Sequence, residues 1–277
     1  MNAELVIKTM AELIHLEFFQ HALLISILLS LLFGLLSFFV LMRRMVFLGA
    51  GIAHSAFGGV ALGVLTGMNP FLTSLIFCLA VSILIGKLVR VGHVSYDTSI
   101  GIFFSFTMAL GALFIAAGNA YSFDLSGYLF GSILAVKSYD LMMTSILFTA
   151  FIIFFFIFMQ KLLFMTFDEP VAEVSGVPVQ LLDTLLLAFL AAVIVVSIKM
   201  VGIILISALI VLPASFGQLI SGHYSRVMFW SVLYALLIMT GGLFLSYWLD
   251  LPTGATIVVS GGLLYFIGLA LKSALHQ

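Results

Sequence analysis

Phe18–Met42 reads FFQHALLISILLSLLFGLLSFFVLM, about 25 residues without an Asp, Glu, Lys or Arg. An α-helix rises about 1.5 Å per residue, so about 20 apolar residues cross a hydrocarbon core about 30 Å thick. This stretch therefore predicts a membrane-spanning helix. Glu4, Lys8, Glu12 and Glu17 precede it and no small-residue cleavage signature follows it. The expectation is an uncleaved first helix, not a signal peptide.

The pattern recurs along the chain. Hydropathy predicts further spans at Ala50 to Gly67, Phe71 to Val89, Ser99 to Ala117, Leu141 to Met159, Leu181 to Ile198, Val201 to Ile220, Val227 to Trp248 and Ala255 to Leu271. The fold class expected is an all-α polytopic membrane protein, a bundle of about 8–9 transmembrane helices forming one domain over residues 1–277. Composition agrees: 64% of residues are hydrophobic and 8% are charged, against about 25% charged in a soluble domain. A net charge of −1 leaves no basic face for phosphates, which argues against a nucleic-acid partner. The single cysteine, Cys78, excludes an internal disulfide and a multi-thiolate metal cage. No nucleotide-binding loop, dinucleotide fingerprint or nucleophile-and-base arrangement is present. Catalysis by this chain is not expected, and nucleotide-powered transport would need another chain.

Lys and Arg in short loops set orientation. Arg43, Arg44, Lys87, Arg90, Lys161, Arg226 and Lys272 fall on one side if the chain ends inside, with Lys199 as the exception and Lys137 near the outer side. The C-terminus is expected to be cytoplasmic. Two segments do not span. SFDLSGYLFGSILAV (Ser122–Val136), with Asp124, suits an interfacial or re-entrant helix outside. FDEPVAEVSGVPVQ (Phe167–Gln180) lies inside. It predicts a short acidic helix from Pro170 to Val174, with proline in the first turn and Gly176 as its stop.

Four features carry candidate chemistry. In GAGIAHSAFGG (Gly49–Gly59), His54 stands on a face lined by Ala50, Gly51, Phe57 and Gly58. Ionisable groups within spans are costly and face a bundle interior or a wet path. Two readings stand: an interhelical hydrogen bond to a serine or a carbonyl, or a proton or metal station. Gly59, Gly63 and Gly67 recur at intervals of four, a pattern that lets helices approach closely and needs no function to explain it. In KMVGIILISALIVLPAS (Lys199–Ser215), Pro213 cannot donate to the Leu209 carbonyl, so a kink or opening is expected there, flanked by Ser207 and Ser215. It reads as a bend beside a permeation path or as a plain structural kink. Asp97, ahead of an apolar run in HVSYDTSIGIFF (His93–Phe104), looks like a helix N-cap, the other reading being an ion ligand.

Six stretches together resemble the permease subunit of bacterial ATP-binding-cassette importers for zinc, manganese or iron. They are RRMVFLGAGIAHSAFGGVALG, YDTSIGIFFS, YLFGSILAV, DEPVAEVSGVPV, KMVGIILISALIVLPAS and YWLDLPTGATIVV, in the family's order across almost the whole chain. The resemblance implies a permease fold like that of vitamin B12 importers in the bacterial cytoplasmic membrane. It implies a second permease copy, cytoplasmic ATPase subunits that hydrolyse the ATP, and an external metal-binding protein that delivers the ion. The chain itself would bind no cofactor, the divalent metal being its cargo, with zinc ahead of manganese and iron. Phe167, Asp168, Glu169, Glu173, Val174, Ser175, Gly176 and Val177 match the family's cytoplasmic coupling segment.

His54 matches the histidine of the family's GDxxxHA run, which is proposed to meet the metal in transit; Ser207 and Asp97 are further candidates for the path. The family usually has an aspartate one turn earlier, where this chain has Ala50. A two-ligand site within one helix is therefore not expected. Two copies of His54 facing each other in a homodimer, or a sister permease supplying the aspartate, would complete it. The rival readings are a permease for a metal chelate, such as a siderophore or corrinoid, and a stand-alone transporter or channel using His54 as a relay.

Overall fold

The computed structural model describes residues 16–118, 131, 133 and 136–275. Among these, nine helices are long and apolar enough to cross a membrane. In chain order the helices are α1 (Glu17–Met42), α2 (Leu48–Thr66), α3 (Pro70–Gly92), α4 (Tyr96–Ala117), α5 (Ser138–Phe167) and the short α6 (Glu169–Val174). A 42-residue helical run, Val179–Ile220, follows and holds two spans, α7 (Val179–Ile198) and α8 (Met200–Ile220). α9 (Tyr224–Leu249) and α10 (Thr253–Leu275) complete the bundle. The region expected to be interfacial, Ser122–Val136 with Asp124, lies largely outside the described residues.

The α7–α8 run is the hub. Gly86 of α3 meets Leu187, Gly49 of α2 meets Ile210, Gly217 meets Val227 of α9, and Phe216 meets Gly268 of α10. Phe151 and Phe154 of α5 pack on Phe189. Two-thirds of the most apolar stretch of α1 and of α2 is buried, against 17% in α4 and 22% in α5 and in α10. Uncovered apolar faces on long helices are the faces lipid tails or a neighbouring helix bundle would cover.

Hydroxyls along the spans are satisfied mostly within their own helices. Ser26, Ser145, Thr149, Ser197, Ser231 and Thr240 each donate to the carbonyl four residues back. That pattern costs no interhelical partner.

Two local expectations are corrected, and Gly202 is an addition to the third. α4 is capped by Ser95, whose side chain accepts from the Thr98 N–H at 3.1 Å. Asp97 instead sits exposed in the first turn. An N-cap oxygen must precede the donor it satisfies by two or three residues, and Ser95 is the residue at that offset. Gly59 and Gly63 pack against α3, but Gly67 has nothing near it and is the left-handed cap of α2, with φ +69°. Glycine is favoured there for conformation and not for closeness. The backbone departs from helical geometry at Gly202 (φ 77°, ψ 159°), while Pro213 lies inside the helix. That conformation is essentially restricted to glycine. Proline costs one hydrogen bond, which a packed helix absorbs.

Candidate functional site

α2 brings His54 into the bundle. Small residues on its flanks let three helices close around it. A Cβ at Gly59 would lie 2.6 Å from the Ser74 Cα of α3, and one at Gly58 would lie 2.8 Å from the Thr107 carbonyl of α4. Cross-helix bonds fix the same contacts: Ser55 Oγ to Thr107 Oγ1 at 2.8 Å, Ser74 Oγ to the Ala56 carbonyl at 3.2 Å, and Cys78 Sγ to the Ile52 carbonyl at 3.6 Å. His54 is half-buried between the fully buried Ala53 and Ser55. Its ring meets Phe104 of α4 edge-on, with centroids 4.9 Å apart at 80°. Among the described residues no hydrogen bond engages the imidazole, and it is the one ionisable side chain on α2.

The other path candidates divide. Ile210 packs on Gly49. His54 lies five residues beyond Gly49 and Ser207 three residues before Ile210 on the antiparallel helix, so at about 1.5 Å per residue both occupy nearly the same layer. The Ser207 hydroxyl donates to the Ile203 carbonyl at 3.1 Å. Asp97 is seven residues from Phe104, about 10 Å along the axis, at the end of α4. Among the described residues no three His, Cys, Asp or Glu side chains cluster as a metal cage.

A second polar centre sits at one end of the bundle, where α1 ends and α4, α6 and α7 begin. The Arg43 side chain, 4% exposed, reaches two carboxylates. Its Nη2 donates to Glu169 Oε2 at 3.0 Å. Its Nη1 lies 3.1 Å from Asp183 Oδ1 without hydrogen-bond alignment, so charge holds that contact. Asp183 is itself 4% exposed and accepts from the Tyr96 hydroxyl of α4 at 3.0 Å. Nearby, Arg90 donates to the Gln180 carbonyl and to Thr184 Oγ1. Sequence reasoning used Arg43 and Arg90 only as topology markers and passed over Asp183. The available signal was an uncapped carboxylate inside an apolar run.

At the same end, α6 presents a small surface. Asp168 caps it by accepting from the Val171 N–H at 3.1 Å, with Pro170 in the first turn. Ala172 is buried, Val177 donates to its carbonyl, and Gly176 takes φ +82° after Ser175 caps the C-terminus. Glu173 points outward, Val174 is 91% exposed and Phe167 is 60% exposed.

Residues 15–272 match the model of the ABC 3 transport family. The chain belongs to that family. Among ABC 3 relatives, the manganese transport system membrane protein of Listeria innocua is 33% identical over 90% of this chain and 89% of its own. The high-affinity zinc uptake system membrane protein of Haemophilus influenzae is 30% identical over 90% of this chain and 95% of its own. A solved structure, PsaBC from Streptococcus pneumoniae in complex with Fab, superposes with a TM-score of 0.81 at 31% identity and covers 95% of both chains. The ABC 3 chain described here is thus a membrane permease of the transport class.

Proposed function

We propose that this chain is the membrane-spanning subunit of an ATP-driven importer in a bacterial cytoplasmic membrane, carrying a divalent transition metal inward. The observation that carries the reading is His54: a half-buried imidazole without a hydrogen-bond partner among the described residues, placed where α2, α3 and α4 close together. The names of the manganese and zinc relatives support the cargo class. Zinc is the first cargo to test. Imidazole nitrogen suits it, while manganese prefers oxygen donors, and Ala50 supplies none from its side chain one turn before His54. A single ligand per chain makes a weak station, which suits an ion that must leave as readily as it enters.

The segment Phe167–Val177 is the docking site for a separate ATPase subunit. Its exposed Val171 and Val174 and the outward Glu173 offer a surface that packing within this chain leaves unused. The uncovered apolar faces support a second permease copy. An external metal-binding protein delivers the ion.

The test is uptake of radioactive zinc and manganese into proteoliposomes holding the chain with its ATPase and binding protein. ATP-dependent uptake of one metal is expected, with His54→Ala abolishing most of it in a normally folded complex. Uptake by the chain alone, without ATPase, would overturn the importer reading. Unchanged uptake by His54→Ala would remove His54 from the path.

A further inference from the structure

We propose that Arg43 is the positioning residue through which movement of α6 reaches the helices that flank His54. The proposal rests on the reading of Phe167–Val177 as the ATPase docking segment.

The connection follows from placement. Outside the chain's own continuity, Glu169 of α6 is held to the spans by Arg43. Arg43 is the C-cap of α1, and α2 begins at Leu48. Between them the chain turns sharply through Arg44, at φ +56°, and Met45 donates back to the Val40 carbonyl. A pull on the Arg43 guanidinium is therefore delivered to the joint from which the His54 helix starts. Its second arm engages Asp183 at the start of α7. Asp183 accepts from Tyr96 in the first turn of α4, and α4 carries Phe104 against the His54 ring. The two helices that flank the imidazole, α2 and α4, thus both lead to the one guanidinium.

The chemistry fits a rigid relay. The two arms of one guanidinium reach two carboxylates at once, Glu169 by a hydrogen bond and Asp183 by charge, which the single nitrogen of an ammonium is poorly shaped to do. Asp183 and Arg43 are both buried, so neither charge leaves the other without a large desolvation cost, and the pair moves as a unit. Glu169 is half exposed, where an ion pair contributes little to stability. A role confined to holding the fold together therefore leaves the Glu169 contact without effect.

The test uses the full complex of permease, ATPase and binding protein in proteoliposomes, comparing Arg43→Lys, Glu169→Ala and the double variant. The readout is metal imported per ATP hydrolysed, with thermal unfolding alongside. Arg43→Lys keeps a positive charge against Asp183, so folding is preserved. Each single variant is expected to lower metal per ATP by about fivefold or more, the lower end of ordinary coupling energies. The double variant falls no further, because both break one connection. A wild-type ratio in Arg43→Lys overturns the proposal. So does a double variant in which the two losses multiply, since Glu169 would then act on the ATPase alone. If the wild-type complex imports no metal with ATP, the importer reading itself fails, which is a different result.

Discussion

Gly59→Ala measures how tightly the His54 helix must sit against its neighbour. The added methyl would lie 2.6 Å from the Ser74 Cα and 2.9 Å from the Phe77 Cβ. Carbon atoms prefer about 3.5–4.0 Å, so α2 and α3 must part by about 1 Å. The Ser74-to-Ala56 bond at 3.2 Å and the Cys78-to-Ile52 bond at 3.6 Å both stretch past usefulness. Overpacking costs about 1–3 kcal/mol, and each lost cross-helix bond in a membrane about 0.6 kcal/mol, so the helix pair weakens by about 2–4 kcal/mol. Cys78 is the chain's single cysteine and is fully buried at this seam, which makes it a built-in reporter. Its modification by a membrane-permeant maleimide should speed up at least about thirtyfold, at tenfold per 1.4 kcal/mol. Gly241→Ala is the control, since nothing lies near its added methyl. Cys78 should react there at the wild-type rate, and the helix should gain about 0.5–1 kcal/mol. Wild-type Cys78 reactivity in Gly59→Ala would refute the close approach.

Two further predictions concern the hub and the path. Gly202→Ala places a side chain in a conformation reserved for glycine and should destabilise the protein by about 1–3 kcal/mol or more. Thermal unfolding in detergent checks this, and an unchanged midpoint would mean that α7 and α8 join differently. Ala50→Asp adds a carboxylate at i−4 to His54 in the first turn of α2, where the helix dipole favours a negative charge. It should fold normally and raise manganese uptake relative to zinc in paired radiotracer assays; an unaltered ratio would separate residue 50 from the path.

The spans were legible because length and hydropathy suffice for them: water-free surroundings force each apolar run into a helix. The short helix before Gly176 was legible for another reason, since proline, cap and stop residues stand at fixed local offsets. What escaped was non-local or finely local. Tyr96, Arg43 and Asp183 meet across 87 and 140 positions, and no periodicity signals such a meeting. The cap of α4 moved from Asp97 to Ser95 because both residue types cap well and only backbone geometry chooses between them. Pro213 was the conspicuous breaker in sequence, and Gly202, where the backbone leaves helical geometry, was not, since a glycine looks permissive in any context until packing uses its freedom. His54 was visible as the ionisable residue of its span. Its partnering with Phe104 across 50 positions was not.

The hydroxyls that bond back to their own helices bear on how the chain is made. A nascent helix leaving the ribosome must enter the lipid before its neighbours exist, and at that moment an unsatisfied hydroxyl has nowhere to turn. Ser26, Ser145, Thr149, Ser197, Ser231 and Thr240 carry their acceptor with them, one turn behind. Each such span can be delivered to the bilayer as a finished unit. Recognition between spans is then left to a few late contacts such as Ser55 with Thr107. Biogenesis can proceed one helix at a time, with the seam around His54 closing after its members are already in place.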